Sequence, residues 1–232
     1  MKIDIKQRFT GAVKFTTEIA APEDAPASVK LRSAVLWAIE NKVDLSNCDL
    51  SGSDLRGIDL SGRDLSGSDL RGSVLSGSVL RDCDLRDCDL SDCDLSGSNL
   101  SGSDLSDRDL SRSDLRGSNL SDCDLSGSDL SGSDLRDCDL SRSDLSDCDL
   151  SDCDLSRSNL RDCDLSGSNL RVLQTDIWTV YVQKDTIRIG CQYHSISDWG
   201  QFTDGQIANM HGRALIWWKL WKDIIFAIHA TI

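Results

Sequence analysis

The chain has 232 residues, with 25 Lys and Arg against 39 Asp and Glu and a formal net charge of −14. That balance argues against direct nucleic-acid binding, which needs a cationic surface to displace counterions. No apolar run reaches the roughly 18 residues of a membrane-spanning helix, and the N-terminus from Met1 lacks the apolar stretch of a signal peptide. We therefore expect a cytoplasmic chain with reduced cysteines.

The charge is not spread evenly. Residues 1–42 hold 7 basic and 5 acidic residues, residues 43–172 hold 13 Arg and 29 Asp for a net −16, and residues 173–232 hold 5 of each sign. The middle segment contains no Glu, Lys, Pro, Ala or aromatic residue. These shifts divide the chain into an N-terminal part, a central part and a C-terminal part at those boundaries.

In the first part, residues 2–20 alternate loosely through Ile3, Ile5, Phe9, Val13, Phe15 and Ile19, with Thr10-Gly11 between the two halves. This predicts a β-hairpin. After Pro22 and Pro26, the spacing of Val29, Leu31, Val35, Leu36, Trp37 and Ile39 predicts a helix from Ser28 to Lys42.

In the central part, Leu stands at every fifth position from Leu45 to Leu170, 26 times without an insertion. The residue before it is Asp or Asn, except at Val74 and Val79; two before it comes Ser or Cys, except at Val43, Ile58, Arg63 and Arg108. A period of five fits neither a helix nor a simple strand. It fits a coil with flat sides and regular corners, in which the Leu and the small residue two before it line the interior. A single pentad cannot bury its Leu, but stacked coils share a continuous core.

Stretches such as Cys83-Asp84-Leu85-Arg86-Asp87 and Ser98-Asn99-Leu100-Ser101-Gly102 resemble the pentapeptide-repeat family, whose motif is A(D/N)LXX, apart from the missing Ala. The resemblance covers residues 43–172. It implies a mainly β fold, a right-handed quadrilateral β-helix with four pentads per coil. The repeats would then make about 6.5 coils in a rod roughly 31 Å long. Leu45, Leu65, Leu85, Leu105, Leu125, Leu145 and Leu165 would form one column of its structural core. The N-terminal hairpin plus helix and a C-terminal strand-plus-helix segment would cap the open ends, as solenoids require.

Arg63 and Arg108 conflict with a Leu-filled lumen, because a buried guanidinium is costly. We expect both to bend outward and distort the coil locally. Nine of the ten cysteines, from Cys48 to Cys163, occupy the small inward site, and no two of them are twenty residues apart. Those that stack lie two coils apart, roughly 10 Å, too far for a disulfide. No CxxC occurs, so zinc spacing is absent, and Asp columns would offer calcium only exposed, monodentate ligands. We expect inert thiols, no metal and no cofactor.

The C-terminal part predicts strands at Trp178–Gln183 and Thr186–Tyr193, a short helix opened by the capping box Thr203 to Gln206, and a longer helix from Arg213 to Ala230. Trp217, Trp218, Trp221 and Phe226 broaden the apolar face of that last helix, which makes them the candidate interface. The face would cover the rod and its own strands, pair with a second copy as a homodimer, or lie on a membrane, an option the neighbouring acidity opposes. Cys191 and His194 are close in sequence, but on one strand they would point to opposite faces. No catalytic motif is present.

The expected function is thus a non-enzymatic scaffold or interaction solenoid with an unknown protein partner, no direct nucleic-acid contact and no membrane. The near-uniform repeats suggest an engineered, consensus-like or recently expanded array. The alternative is an acidic DNA mimic. Some members of the family that the repeats resemble bind DNA gyrase in this way. About 18 duplex charges fall in 31 Å, close to the central net of −16.

Overall fold

A computed structural model describes residues 1–231. The chain forms two compact units, Met1–Gly167 and a second beginning at Ser168.

The first unit opens with a hairpin of β1 (Lys2–Lys6) and β2 (Val13–Glu18), antiparallel with a bulge between Ile5 and Lys6. Helix α1 (Ala27–Glu40) follows and turns Ala34, Val35 and Ala38 inward. The repeats come next. Their strands are single bridges, each parallel and each joining residues twenty apart, from Asp49 with Asp69 to Asp144 with Asp164. Four pentads therefore complete one turn of a β-helix-like coil. The hairpin and helix belong to this same unit. Gln7 bridges antiparallel to Cys48, the Asp49 amide donates to the Lys6 carbonyl at 2.9 Å, and Arg32 donates to the carbonyls of Asp54 and Arg56.

Each position of the pentad has a physical reason. The central Leu fills the lumen: Leu50 to Leu115 are all 0% exposed, and burial of such side chains drives the stacking. Leu65, Leu85, Leu105 and Leu125 are 0% exposed and Leu45 and Leu145 nearly so, whereas Leu165 in the last turn is half-buried. The residue two after Leu has positive φ, as at Asp87 (60°) and Arg142 (62°). This turn conformation favours Gly, Asn and Asp, which explains the Gly and Asp at that place. The Asp or Asn before Leu holds the turn. Its Oδ1 accepts the amide two residues on, for example Ser66 to Asp64 at 2.9 Å and Ser121 to Asn119 at 3.0 Å.

The small inward residue links successive coils. Ser113 Oγ donates to the Leu90 carbonyl at 2.7 Å and accepts the Cys93 amide at 3.2 Å. Cysteine makes the same donation, as from Cys123 Sγ to the Leu100 carbonyl at 2.9 Å. This explains why Ser and Cys alternate without disturbing the register.

The expected distortion at Arg63 and Arg108 does not occur. The ladder passes through both, with the Asp84 amide on the Arg63 carbonyl (3.1 Å) and the Asp129 amide on that of Arg108 (2.8 Å). The Arg108 side chain leaves the lumen by itself: Nε donates to the Ser106 carbonyl at 2.5 Å and Nη1 meets Asp87 at 3.4 Å. A long, flexible stem lets the charge escape while the backbone stays in place.

The second unit is a four-stranded antiparallel sheet in the order β3 (Arg171–Gln174), β4 (Thr179–Val182), β5 (Thr186–Ile189) and β6 (Gln192–Ser195), followed by α2 (Ile196–Gln201), α3 (Asp204–Met210) and α4 (Ala214–His229). The single strand predicted over Thr186–Tyr193 is two strands. Gly190 has a φ of 57°, and a Cβ there would lie 2.8 Å from Trp178 Cδ1, so the chain turns back at this glycine. The capping box at Thr203 and Gln206 is present. Val180, Val182, Ile187, Trp199, Ile207, Trp217, Trp218 and Ile225 form this unit's core.

Candidate functional site

The twenty-residue register sorts the outward residues of the repeat into four faces, each taken here with the corner that follows it. The face over the Leu45 column carries ten Asp, including Asp64, Asp104, Asp124, Asp144 and Asp164, against Arg86 and the half-buried Arg63. The next face, over Leu50, carries eight Asp against Arg71, Arg108, Arg112 and Arg171. The other two faces together hold eleven Asp against seven Arg. The acidity of the repeat is therefore lateral and strongest on the face over the Leu45 column.

Arginine is placed in two ways. Directly after Leu, it folds back on the Asp of its own pentad. Arg56 and Arg86 do this with two hydrogen bonds each, to Asp54 and Asp84. At the corner, it reaches the Asp twenty residues earlier: Arg112 to Asp92 at 2.8 Å, Arg142 to Asp122 at 2.7 Å and Arg157 to Asp137 at 2.6 Å. These bidentate bonds hold the acids low. The Arg56 guanidinium lowers Asp54 to about 2, and the Arg86, Arg112, Arg142 and Arg157 guanidinium groups lower Asp84, Asp92, Asp122 and Asp137. On the most acidic face, by contrast, no Arg or Lys pairs with Asp64, Asp124, Asp144 or Asp164 among the described residues.

The hairpin supplies cations to the start of this face and the next. Lys14 donates to Asp44 at 2.9 Å, and Arg8 donates to the Asp87 carbonyl at 2.6 Å and lies 3.6 Å from Asp89. The open acidic surface is accordingly the later stretch, from Asp104 onward.

The inward cysteines are chemically quiet. Burial pushes Cys88, Cys93, Cys123, Cys138, Cys148 and Cys153 up to about 12, and Cys48 and Cys83 to about 11. No group of metal-ligating side chains is assembled among the described residues. No described helix is long and apolar enough to cross a membrane.

In the second unit, a pocket of about 90 Å³ is lined by Trp178, Cys191, Gln192, Trp199, His211, Trp217 and Trp218, among others. Cys191 is exposed, and Gln192 Nε2 lies 3.8 Å from its Sγ. His194 packs instead edge-on against Trp199 and Phe202, at 5.2 and 4.9 Å. Cys191 lies in the turn before β6 rather than on a strand with His194, and the Gln192 side chain reaches both, with its Oε1 3.3 Å from His194 Nε2. Of the four candidate interface residues, Trp217 and Trp218 are each 3% exposed, and Trp221 and Phe226 are half-buried against the same core. Trp217 Nε1 donates to Thr175 Oγ1 at 3.0 Å. The apolar side chains that α4 does present are Ile216, Leu220 and Ile224, which sequence reasoning passed over because Trp dominates the helical pattern.

Parallel bridges at a twenty-residue period, a Leu-filled lumen and Asx-held corners define a β-helix-like solenoid repeat protein. The sequence model for pentapeptide repeats matches residues 41–62, 58–97, 98–137 and 133–171, in eight copies, and the chain belongs to that family. No curated protein matches it. Among solved structures, it is similar to Rfr23, a pentapeptide repeat protein from the cyanobacterium Cyanothece, at 20% identity over 57% of this chain and 95% of that one, with a TM-score of 0.31. A trypsin-treated variant of QnrB1, a plasmid-mediated fluoroquinolone resistance protein, aligns at 26% identity over 53% of this chain and 65% of its own, with a TM-score of 0.26. HetL, a pentapeptide repeat protein of Nostoc involved in heterocyst differentiation regulation, aligns at 27% identity over 52% and 69%, with a TM-score of 0.19.

Proposed function

We propose that the chain is a non-enzymatic interaction solenoid, a right-handed quadrilateral coil of about 6.5 turns capped at its N-terminal end by the hairpin and α1. Its acidic face over the Leu45 column would meet a cationic surface on a protein partner. The observation that carries this reading is the lateral charge: ten Asp against two Arg on the face over the Leu45 column, with the other eleven Arg of the repeat on the remaining three faces. A repeat that needs Asp only to hold its corners has no physical reason to leave one side so poor in arginine. Complementary fields steer encounter and select partners.

The test is capture from bacterial lysate with the full chain. Asp104, Asp124, Asp144 and Asp164 are changed to Asn in one variant, which preserves the corner hydrogen bond. Asp59, Asp114, Asp134 and Asp139 are changed to Asn in a control. Loss of the captured protein in the first variant alone supports the proposal. Equal capture by both overturns it.

The second reading is a DNA mimic acting on a cationic nucleic-acid enzyme such as DNA gyrase. Its support is the total charge, close to that of duplex DNA over the same length. A supercoiling assay with no inhibition at micromolar chain would sink it.

A further inference from the structure

We propose that the aromatic pocket of the second unit binds a small, uncharged, single-ring aromatic molecule through a hydrogen-bond acceptor on that molecule. This does not depend on the acidity of the repeat. The walls of the pocket are built from four Trp. Trp178 meets Trp217 and His211 edge-on, with ring centroids 5.0 and 5.3 Å apart, and Trp199 lies 5.1 Å from Trp218. Flat rings in these orientations suit a further ring. No Asp, Glu, Lys or Arg lines the pocket, so a charged molecule would lose its hydration with no opposite charge to replace it. Lys222 Nζ sits 5.7 Å from the centre of the Trp218 ring, which further disfavours a cation. A cavity of about 150 Å³ takes benzene. At about 90 Å³, this pocket takes one ring, with part of the molecule left at the mouth beside the exposed Cys191.

The hydrogen-bonding groups of the walls set the chemistry of the ligand. The indole N–H of Trp199 donates to the Ile187 carbonyl at 2.8 Å, and that of Trp217 to Thr175 Oγ1 at 3.0 Å. The N–H of Trp218 has no partner in the protein. Trp218 is only 3% exposed, and no fully enclosed side-chain nitrogen among the described residues lacks a partner, so the exposure that Trp218 keeps includes its N–H. A buried Trp N–H normally finds an acceptor, and here the pocket that Trp218 lines is the place for one. The N–H of Trp178, half-buried in the same wall, is also unpartnered. His211 adds a third donor. Its Nδ1 accepts the Arg213 amide at 3.2 Å, which puts the proton of the neutral ring on Nε2. The side-chain acceptors of the lining are already engaged: Gln192 Oε1 faces His194 Nε2 at 3.3 Å, and Cys191 Sγ faces Gln192 Nε2 at 3.8 Å. The pocket therefore offers donors and no open side-chain acceptor, and it selects a ring that carries an acceptor such as a carbonyl oxygen.

Acetophenone, a neutral ring with one carbonyl acceptor, tests this when titrated into the isotope-labelled full chain. The indole N–H signals of its six Trp are followed by nuclear magnetic resonance and assigned with Trp178→Phe and Trp218→Phe. The expected result is saturable binding at about millimolar concentration. The Trp178 and Trp218 indole protons move downfield with a common dissociation constant, while Trp37 of the first unit stays in place. Benzylammonium, a similar ring with a charged donor, binds about tenfold more weakly or worse. Ala214→Leu, which fills the pocket from its wall, raises the acetophenone dissociation constant about tenfold, and circular dichroism checks that the variant stays folded. The wild-type titrations do not depend on that variant. Absence of a saturable shift overturns the proposal. So does saturable binding that leaves the Trp178 and Trp218 indole protons in place, which would mean apolar filling alone. Benzylammonium binding as tightly as acetophenone overturns it in favour of a cation site, and binding indifferent to a folded Ala214→Leu chain overturns it by placing the molecule elsewhere.

Discussion

Serine at the small inward site does more than fill space. Ser113 satisfies the Leu90 carbonyl and the Cys93 amide of the coil before it. Ser113→Ala removes both bonds and should cost about 1–3 kcal/mol in urea unfolding. Ser113→Cys, which keeps the donation but is a poor acceptor, should cost less. The cysteines differ from one another through burial alone. Eight are buried with raised pKa values, Cys163 is half-buried, and Cys191 is exposed. A thiol reagent at neutral pH should therefore modify one cysteine per chain rapidly, and all ten after denaturation. The inward position of nine cysteines was legible from their phase in the pentad. The partner of the eight from Cys83 to Cys163, a Leu carbonyl 23 residues earlier, was not, because it depends on how the coils stack.

Among the elements, the N-terminal hairpin and helix were readable from alternation and helical spacing, with ends within two residues of those observed for the helix. The C-terminal sheet was harder. Strand β3 overlaps the end of the repeat, and α2 is too short to show a period. The turn between β5 and β6 rests on Gly190, which combines a positive φ with the close approach of Trp178. Gly190→Ala should destabilise the second unit by about 1–3 kcal/mol, through backbone strain and displacement of the indole. Tryptophan fluorescence reads this directly, since five of the six Trp lie in residues 173–232.

At the scale of the whole molecule, charge sets the response to solvent. Asp84, Asp92, Asp122 and Asp137, held by Arg86, Arg112, Arg142 and Arg157, have pKa values below those of the unfolded chain, and Arg56 brings Asp54 to about 2. Their stabilising effect is complete above the unfolded value near 4 and disappears as pH falls through the folded values. The melting temperature should accordingly drop between about pH 4 and pH 2. Salt acts in the opposite sense. With 29 Asp against 13 Arg in the repeat, like-charge repulsion along the acidic faces outweighs the exposed ion pairs. Raising the ionic strength from low to moderate should increase the melting temperature, and a flat response would show that the columns are already neutralised.

The sequence by itself determined the repeat, its inward and outward positions and the place of its acidity along the chain. A five-residue period with Leu in phase leaves one way to bury that Leu, in a shared lumen. The family resemblance already implied neighbours twenty positions apart; tertiary structure decided which side chains pair across that register. Among the described residues, the stacking leaves Asp64, Asp124, Asp144 and Asp164 of one face without an Arg or Lys partner and lets Arg108 pair with Asp87 without bending the coil, while packing within the second unit turns Trp217 and Trp218 inward and leaves Ile216, Leu220 and Ile224 outside. Those outcomes depend on contacts between distant segments, and local pattern carries no record of them.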